Sequence, residues 1–185
     1  TAAEIRDSRP PAIAITQPAA TGYPHSATLV LDYAVTDACT GVASFTPTLD
    51  GSPTLSGHGL ADGQAIDLLT ELALGPHTFT INAVDNVGNA DSSSVTFTIV
   101  VTAESIKDDV RQFLASGAVT LDEGKSLLGQ LDAAASARAK GDCATANRIY
   151  QAFIRELQAQ SGKHVSAQAA AIMIADAQYL IAHCP

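Results

Sequence analysis

The sequence contains no tryptophan, and its first 101 residues contain no lysine. Binding platforms for glycans usually rest on exposed aromatic rings, so the lack of tryptophan leaves few residues for such a platform. Residues 1–101 carry two arginines against ten acidic residues, a net charge of −8, whereas residues 102–185 carry −1. Nucleic acids and anionic membranes are bound through clustered lysine and arginine. The charge distribution therefore argues against both as partners.

The sequence also lacks the motifs of common catalytic and membrane-spanning proteins. It has no run of about 18 apolar residues, so no segment is predicted to insert into a bilayer. The five histidines are scattered without metal-ligand spacing, and no G-x-S-x-G elbow, P-loop or dinucleotide fingerprint is present. We therefore predict no catalytic and no cofactor-binding residue, and we do not expect this fragment to be an enzyme.

The chain begins without an initiator methionine or a signal-peptide pattern, and residues 1–9 are mostly polar and charged. Pro10 and Pro11 follow, which is typical of a linker between modules. Residues 1–9 are therefore predicted to be a linker from a missing upstream domain.

Residue 102 divides the chain into two patterns of hydrophobicity. Before it, apolar and polar residues alternate in segments separated by turn signals, which indicates antiparallel strands. After it, apolar residues recur at helical spacing in four segments joined by short loops. We predict an immunoglobulin-like antiparallel β-sandwich over residues 10–101 and an antiparallel four-helix bundle over residues 102–185. The predicted strands are 12–16, 27–36, 42–49, 53–55, 65–69, 77–85 and 93–101, and the helices begin near residues 103, 120, 142 and 166.

The three cysteines are Cys39, Cys143 and Cys184. Cys143 opens one predicted helix and Cys184 follows the end of the next, and adjacent antiparallel helices place those ends side by side. This predicts a disulfide, with two unrelated buried thiols as the alternative. A disulfide implies an oxidising compartment, so we expect a secreted, extracellular protein. Cys39 is left either as a buried thiol or as the partner of a cysteine in the missing segment.

Four polar side chains in two loops form a candidate metal site. Asp85, Asn86 and Asn89 lie in one predicted hairpin, and the loop that holds Asp37 could lie at the same end of a sandwich. Their oxygens could converge on Ca²⁺, which takes about six to eight oxygen ligands. The alternative, which involves no cofactor, is that Asp85 and Asn89 hydrogen-bond the hairpin backbone.

Two further residues are candidate ligand contacts. Tyr23 is the aromatic residue of the first module that we expect to be exposed, and its alternative role is packing or a turn; the phenylalanines, Phe45 among them, are placed on core faces. Asp176 interrupts the apolar stripe of the last helix, where an unpaired acid is costly. It contacts a ligand, or it bonds to Arg148, Arg155 or Tyr150 across the helix pair.

Three stretches of the first module resemble bacterial immunoglobulin-like modules, which are strung between or behind the catalytic domains of secreted enzymes. They are residues 36–42 (TDACTGV), 49–51 (LDG) and 75–89 (GPHTFTINAVDNVGN). The resemblance covers about residues 10–101. It implies a spacer or binding module and no catalysis.

The second module resembles the helical FIMAH or FIVAR-like modules at the ends of secreted bacterial, especially actinobacterial, hydrolases. The segments that carry this resemblance include residues 110–114 (VRQFL), 151–154 (QAFI) and 177–181 (AQYLI). It implies a C-terminal module with a role in cell-surface or carbohydrate binding.

From these features we expect a non-catalytic accessory region of a secreted bacterial hydrolase, which spaces or anchors an upstream catalytic domain of the same polypeptide and binds polysaccharide or cell wall. The alternatives are a purely structural spacer without a ligand and a small hydrolase of unrecognised type.

Overall fold

The structure, a computed structural model, describes residues 7–184. Most of the predicted linker, residues 1–6, therefore lies outside the described residues. The strands are β1 Ala12–Gln17, β2 Gly22–Pro24, β3 Thr28–Val30, β4 Asp32–Thr36, β5 Val42–Leu49, β6 Thr54–Leu55, β7 His58–Gly59, β8 Ala65–Asp67, β9 Gly75–Asp85 and β10 Ala90–Val100. The helices are α1 Leu68–Glu71, α2 Ser105–Ala115, α3 Leu121–Ala139, α4 Cys143–Gln160 and α5 Ala167–Ala182. The predicted order, a β region followed by helices, is confirmed.

The β region is built around a four-stranded sheet in the order β2-β10-β9-β5. Strand β9 pairs with β5 in antiparallel register, with Phe79 opposite Leu49. Phe79, Ile81 and Ala83 alternate into the core as the sequence predicts, because successive strand residues face opposite sides. Strands β1 and β4 form a separate antiparallel pair, and β3 pairs with β8.

Three details of the β region differ from the sequence prediction. The predicted strand 27–36 is broken at Leu31, whose N–H donates to the Gln64 carbonyl, so its two halves pair with different strands. The predicted strand 65–69 ends early because the Asp67 side chain accepts the Leu69 N–H and caps the short helix α1. Phe45, expected in the core, is 47 % exposed. Its strand β5 lies at the edge of the four-stranded sheet, with a neighbouring strand of that sheet on one side only.

The helices α2 to α5 form a bundle in which α2 packs against both α3 and α5, and α4 packs between α3 and α5. Cys143, at the start of α4, forms a disulfide with Cys184, just beyond the end of α5, with the two Cα atoms 5.9 Å apart. The predicted pairing is present, and it shows that α4 and α5 run antiparallel. Cys39 is a free, exposed thiol and not the buried one expected. Within the described residues, no helix is long and apolar enough to cross a membrane.

The helix caps agree with the sequence in part. The Ser166 hydroxyl accepts the Ala169 N–H at the start of α5. Thr120 and Glu123 have the spacing of a capping box, but the Thr120 side chain makes no cap hydrogen bond. Glu123 instead lies against the carboxylate of Glu156; burial, together with Glu156, raises the pKa of Glu123.

The described residues divide into two compact units. The β unit contains the described residues up to Tyr23, together with Thr28–Ile66 and Gly75–Thr98. The helical unit contains the residues from Ile99 onward together with two earlier segments, Pro24–Ala27 and Asp67–Leu74. Leu69 from the second segment belongs to the same buried apolar cluster as the core of the bundle. The helical unit is thus completed by residues that precede the predicted boundary at residue 102.

We expect the Cys143–Cys184 bridge to stabilise the helical unit by about 4 kcal/mol, because it closes a long loop in the unfolded chain. Replacement of both cysteines by serine should lower the free energy of unfolding by that order, measured by denaturant titration under non-reducing conditions. Cys39→Ser is the matched control and should leave stability unchanged. Equal stability of the double variant and the parent would contradict the prediction.

Candidate functional site

Two carboxyl groups lie buried in the core of the helical unit. Asp109 on α2 and Asp176 on α5 are both 0 % exposed. Neither oxygen of Asp109, nor Oδ2 of Asp176, has a hydrogen-bond donor among the described residues. Two ionised carboxylates in such a site would be costly, since each charge loses its water and repels the other. Burial first, and then the neighbouring Asp176, raise the pKa of Asp109 to about 9. Asp109 is therefore protonated at neutral pH.

Asp176 is paired with His25. Its Nδ1 lies 2.7 Å from Asp176 Oδ1, and its Nε2 lies 3.2 Å from the Leu72 carbonyl oxygen. A carbonyl oxygen only accepts, so Nε2 carries a proton, and a carboxylate at Nδ1 favours a second one. Burial alone would lower the pKa of His25, but the hydrogen bond and the charge of Asp176 outweigh it and raise this pKa. We call these three side chains the buried triad: His25 pairs with Asp176, and Asp109 is the neighbouring carboxylic acid.

Backbone hydrogen bonds within the helical unit hold the segment that carries His25. The His25 N–H donates to the Val100 carbonyl at 2.9 Å, and the Leu68 N–H donates to the Ala27 carbonyl. From α2, Gln112 Nε2 donates to the Ser26 carbonyl at 2.6 Å. His25 therefore enters the bundle on a fixed loop, which accounts for its low exposure of 4 %.

The imidazole of His25 also forms part of the wall of a cavity of about 450 Å³, which Glu71 and Ile172 line as well. Both ring nitrogens are already bonded within the protein, so neither is available to a substrate without breaking a contact. The triad has the residue types of a proton relay, but its hydrogen bonds are all within the protein, which indicates a structural role.

The structure corrects the expected partner of Asp176. The sequence placed it opposite Arg148, Arg155 or Tyr150, yet it pairs with His25, and the Tyr150 hydroxyl has no hydrogen-bond partner among the described residues. The sequence did carry a signal for Asp109 that was missed. It follows Ile106 by three residues and precedes Phe113 by four, so it interrupts the apolar stripe of α2 just as Asp176 interrupts that of α5.

The loops of the β unit bring Asp37 and Asp85 together, as the metal hypothesis requires. One carboxylate oxygen from each, and a third from Asp7, lie within 4.8 Å of one another. Asp7 was not foreseen because it falls in the predicted linker. Its Oδ2 accepts a hydrogen bond from the Thr40 hydroxyl at 2.9 Å.

The same acids are already hydrogen-bonded inside their loops. Asp37 Oδ1 accepts three backbone N–H groups, from residues 39 to 41. Asp85 Oδ1 accepts the N–H groups of Val87 and Asn89. Burial of Asp85 works to raise its pKa, but these bonds, with that from the Asn89 side chain, lower it. This bonding agrees with the alternative to a metal site, in which Asp85 hydrogen-bonds the backbone of its hairpin.

The two asparagines of the metal hypothesis act as donors. Asn86 Nδ2 donates to the carbonyl oxygens of Thr40 and Gly41. Asn89 Nδ2 donates to Asp85 Oδ2 at 2.7 Å. The three carboxylates of Asp7, Asp37 and Asp85 therefore converge. The Asn86 amide joins the hairpin to the loop at residues 40–41, and the Asn89 amide bonds Asp85 within the hairpin.

Tyr23, the other candidate ligand contact, has partners inside the β unit. Its hydroxyl donates to Gln17 Oε1 at 2.6 Å and accepts the Ala19 N–H at 2.8 Å. Its ring meets the edge of Phe97 with the centroids 5.7 Å apart. These contacts suit the packing role that the sequence left as the alternative.

The helical unit can be compared with known families on this basis. Residues 103–182 match the family model of the FIMAH domain. This confirms the resemblance of the second module and supports a non-catalytic accessory module. The match includes Asp109 and Asp176 but begins well after His25. Neither a curated protein nor a solved structure matches the chain.

We predict that the helical unit loses stability as the pH rises. Asp109 has a pKa raised from 3.8 to about 9 on folding, and that of His25 is raised above 6.5. Both therefore bind more protons in the folded state, and their contribution is lost as the pH rises through the folded values. Between about pH 5 and 8, Asp109 alone should lower the free energy of unfolding by about 1.4 kcal/mol per pH unit.

The variant Asp109→Asn tests this prediction because it keeps the shape and a donor while it removes the titration. Its unfolding free energy, followed by the circular dichroism of the helices, should depend less on pH by about that slope. Asp122→Asn, at an exposed acid of α3, should keep the parent slope. A parent whose stability does not fall above neutral pH would refute the protonated Asp109.

For the acidic loops we expect the melting temperature to be the same in Ca²⁺ as in EDTA. The described residues supply three convergent carboxylates, fewer ligands than the about six to eight that Ca²⁺ takes. Thermal denaturation in the two buffers measures this. A higher melting temperature in Ca²⁺, lost in Asp37→Asn and kept in Asp91→Asn, would establish the metal site instead.

Proposed function

We propose that this chain is a non-catalytic accessory region of a secreted bacterial hydrolase. It spaces or anchors a catalytic domain of the same polypeptide and holds it close to a polysaccharide or cell surface. The observation that carries the proposal is the FIMAH match over residues 103–182, which supports an accessory role for the helical module.

The covalent structure supports secretion. A disulfide between Cys143 and Cys184 persists in an oxidising compartment and is uncommon in the cytosol. We therefore place the protein outside the cell. An accessory module there has to stay folded without chaperones, and a bridge that constrains the unfolded chain serves that need.

The negative charge of the chain supports a neutral polysaccharide as partner over an anionic one. The net charge of the whole chain is −9. Proteins bind polyanions through clustered lysine and arginine, and this chain has 10 basic residues against 19 acidic ones. A neutral polymer is bound through hydrogen bonds and apolar contacts, which a negative charge does not oppose.

The experiment is a co-sedimentation assay with the purified chain and three insoluble materials: cellulose, chitin and isolated bacterial cell walls. We expect the chain in the pellet of at least one of them, and no release of product from soluble polysaccharides. Serum albumin run in parallel controls for trapping.

Two outcomes would overturn the proposal. No enrichment in any pellet would favour the purely structural spacer. Release of reducing sugar by the chain alone, retained through purification, would show a hydrolase.

A further inference from the structure

The β unit has an open cavity of about 460 Å³ with an aromatic wall. A volume of this size falls in the range of small-molecule sites, about 300–1,000 Å³. Most of its lining is apolar, and one carboxylate stands among the lining residues. The residues that matter to its chemistry are Tyr33, Phe45, Pro47, Pro53 and Asp62.

Phe45 is the aromatic residue of this cavity whose ring is exposed to solvent. It is 47 % exposed, whereas the neighbouring Tyr33 is 7 % exposed. The edge of one ring meets the other with the centroids 6.2 Å apart and an interplanar angle of 76°. Because Tyr33 is anchored by its hydroxyl, which donates to the Leu60 carbonyl at 2.8 Å, it gives Phe45 a fixed support. A half-exposed ring held in this way is a preorganised surface for an apolar face.

Asp62 supplies the polar group. Its Oδ1 accepts the Tyr33 N–H at 2.9 Å, which fixes the carboxylate beside the ring system. A carboxylate has about four lone-pair sites, so Asp62 retains capacity to accept further hydrogen bonds. The cavity therefore combines an aromatic face with an acceptor for hydroxyl or amine donors.

We infer that this cavity binds a neutral sugar ring of a polysaccharide, with the ring's C–H face against Phe45 and a hydroxyl donating to Asp62. The inference rests on the proposed function and assigns it a site. A pyranose with equatorial hydroxyls fits this chemistry, since its axial hydrogens give an apolar, slightly positive face to the negative face of an aromatic ring.

The charge of the surroundings selects for a neutral sugar. Residues 1–101 carry −8 and contain no lysine, and Asp62 is the acidic residue of the cavity wall. Uronic acids and phosphate-bearing polymers would meet only repulsion, because no cation lines the cavity among the described residues.

Two other cavities in the described residues offer no such combination. The larger, about 680 Å³ between α3 and α4, has no aromatic side chain in its wall. The carboxylate of Glu156 there already accepts hydrogen bonds from Ser126 and Gln130. The cavity beside His25 is lined mainly by leucine, isoleucine and alanine, without an exposed ring.

The test uses the full chain, with cellohexaose as the neutral probe and an oligogalacturonate as the anionic one, in isothermal titration. We expect cellohexaose to bind and the oligogalacturonate not to bind. Phe45→Ala should weaken binding about tenfold or more, as loss of an aromatic contact does. Phe45→Leu keeps an apolar side chain against Tyr33 and should also weaken binding, because leucine has no aromatic face. Asp62→Asn should weaken it less.

Val87→Ala is the control, because Val87 is an exposed apolar residue outside the cavity, and it should bind like the parent. Equal affinity of the parent and both Phe45 variants, with each variant folded by circular dichroism, would overturn the site. If the parent still co-sediments with a polymer in that case, the proposed function stands and only this location falls. No binding to cellohexaose, or tighter binding to the oligogalacturonate, would overturn the neutral sugar itself.

Discussion

Two carboxyl groups buried side by side can coexist only if they carry a single charge between them, and the helical unit is built around this constraint. Protonation of Asp109 meets this constraint, and His25 pairs with Asp176. Removing one partner of a buried charged pair commonly costs about 3–5 kcal/mol, because the other charge is left in an apolar medium. The packing of α2 against α5 therefore depends on a histidine that neither helix supplies.

Because of this dependence, the folded helical domain includes residues that lie before the FIMAH match. The stretch that matches the FIMAH model contains both acids, whereas the imidazole of His25 and the Leu72 carbonyl that it donates to lie before that stretch. Apolar contacts follow the same division, since Leu69 joins the core of the bundle. A family match defines the extent of a recurring sequence, and the folded unit in this chain is larger. The pH dependence predicted for this larger unit comes from Asp109 inside the matched stretch and from His25 outside it.

Periodicity was enough to predict the elements that bury a whole face. Phe79, Ile81 and the helix stripes were found because burial imposes a period of two or of about 3.6 residues. The disulfide was found because helix ends are placed by helix length. Phe45 was misplaced because alternation tells which face a residue is on and not whether that face is covered. The partner of Asp176 was misjudged because His25 lies in a short loop, where no periodicity relates it to a helix about 150 residues later.

The two units treat their acids in opposite ways, and this bears on what each can bind. In the helical unit, Asp109 and Asp176 are fully buried, and Asp176 is bonded to His25. In the β unit, backbone N–H groups hold carboxylates in place, and at Asp85 these hydrogen bonds lower the pKa. Asp62 follows this second pattern with one oxygen bonded to the backbone of Tyr33. A carboxylate fixed in place without a neighbouring lysine keeps its acceptor capacity for an outside donor. A hydroxyl-bearing neutral ligand can use that capacity, and an anionic one cannot.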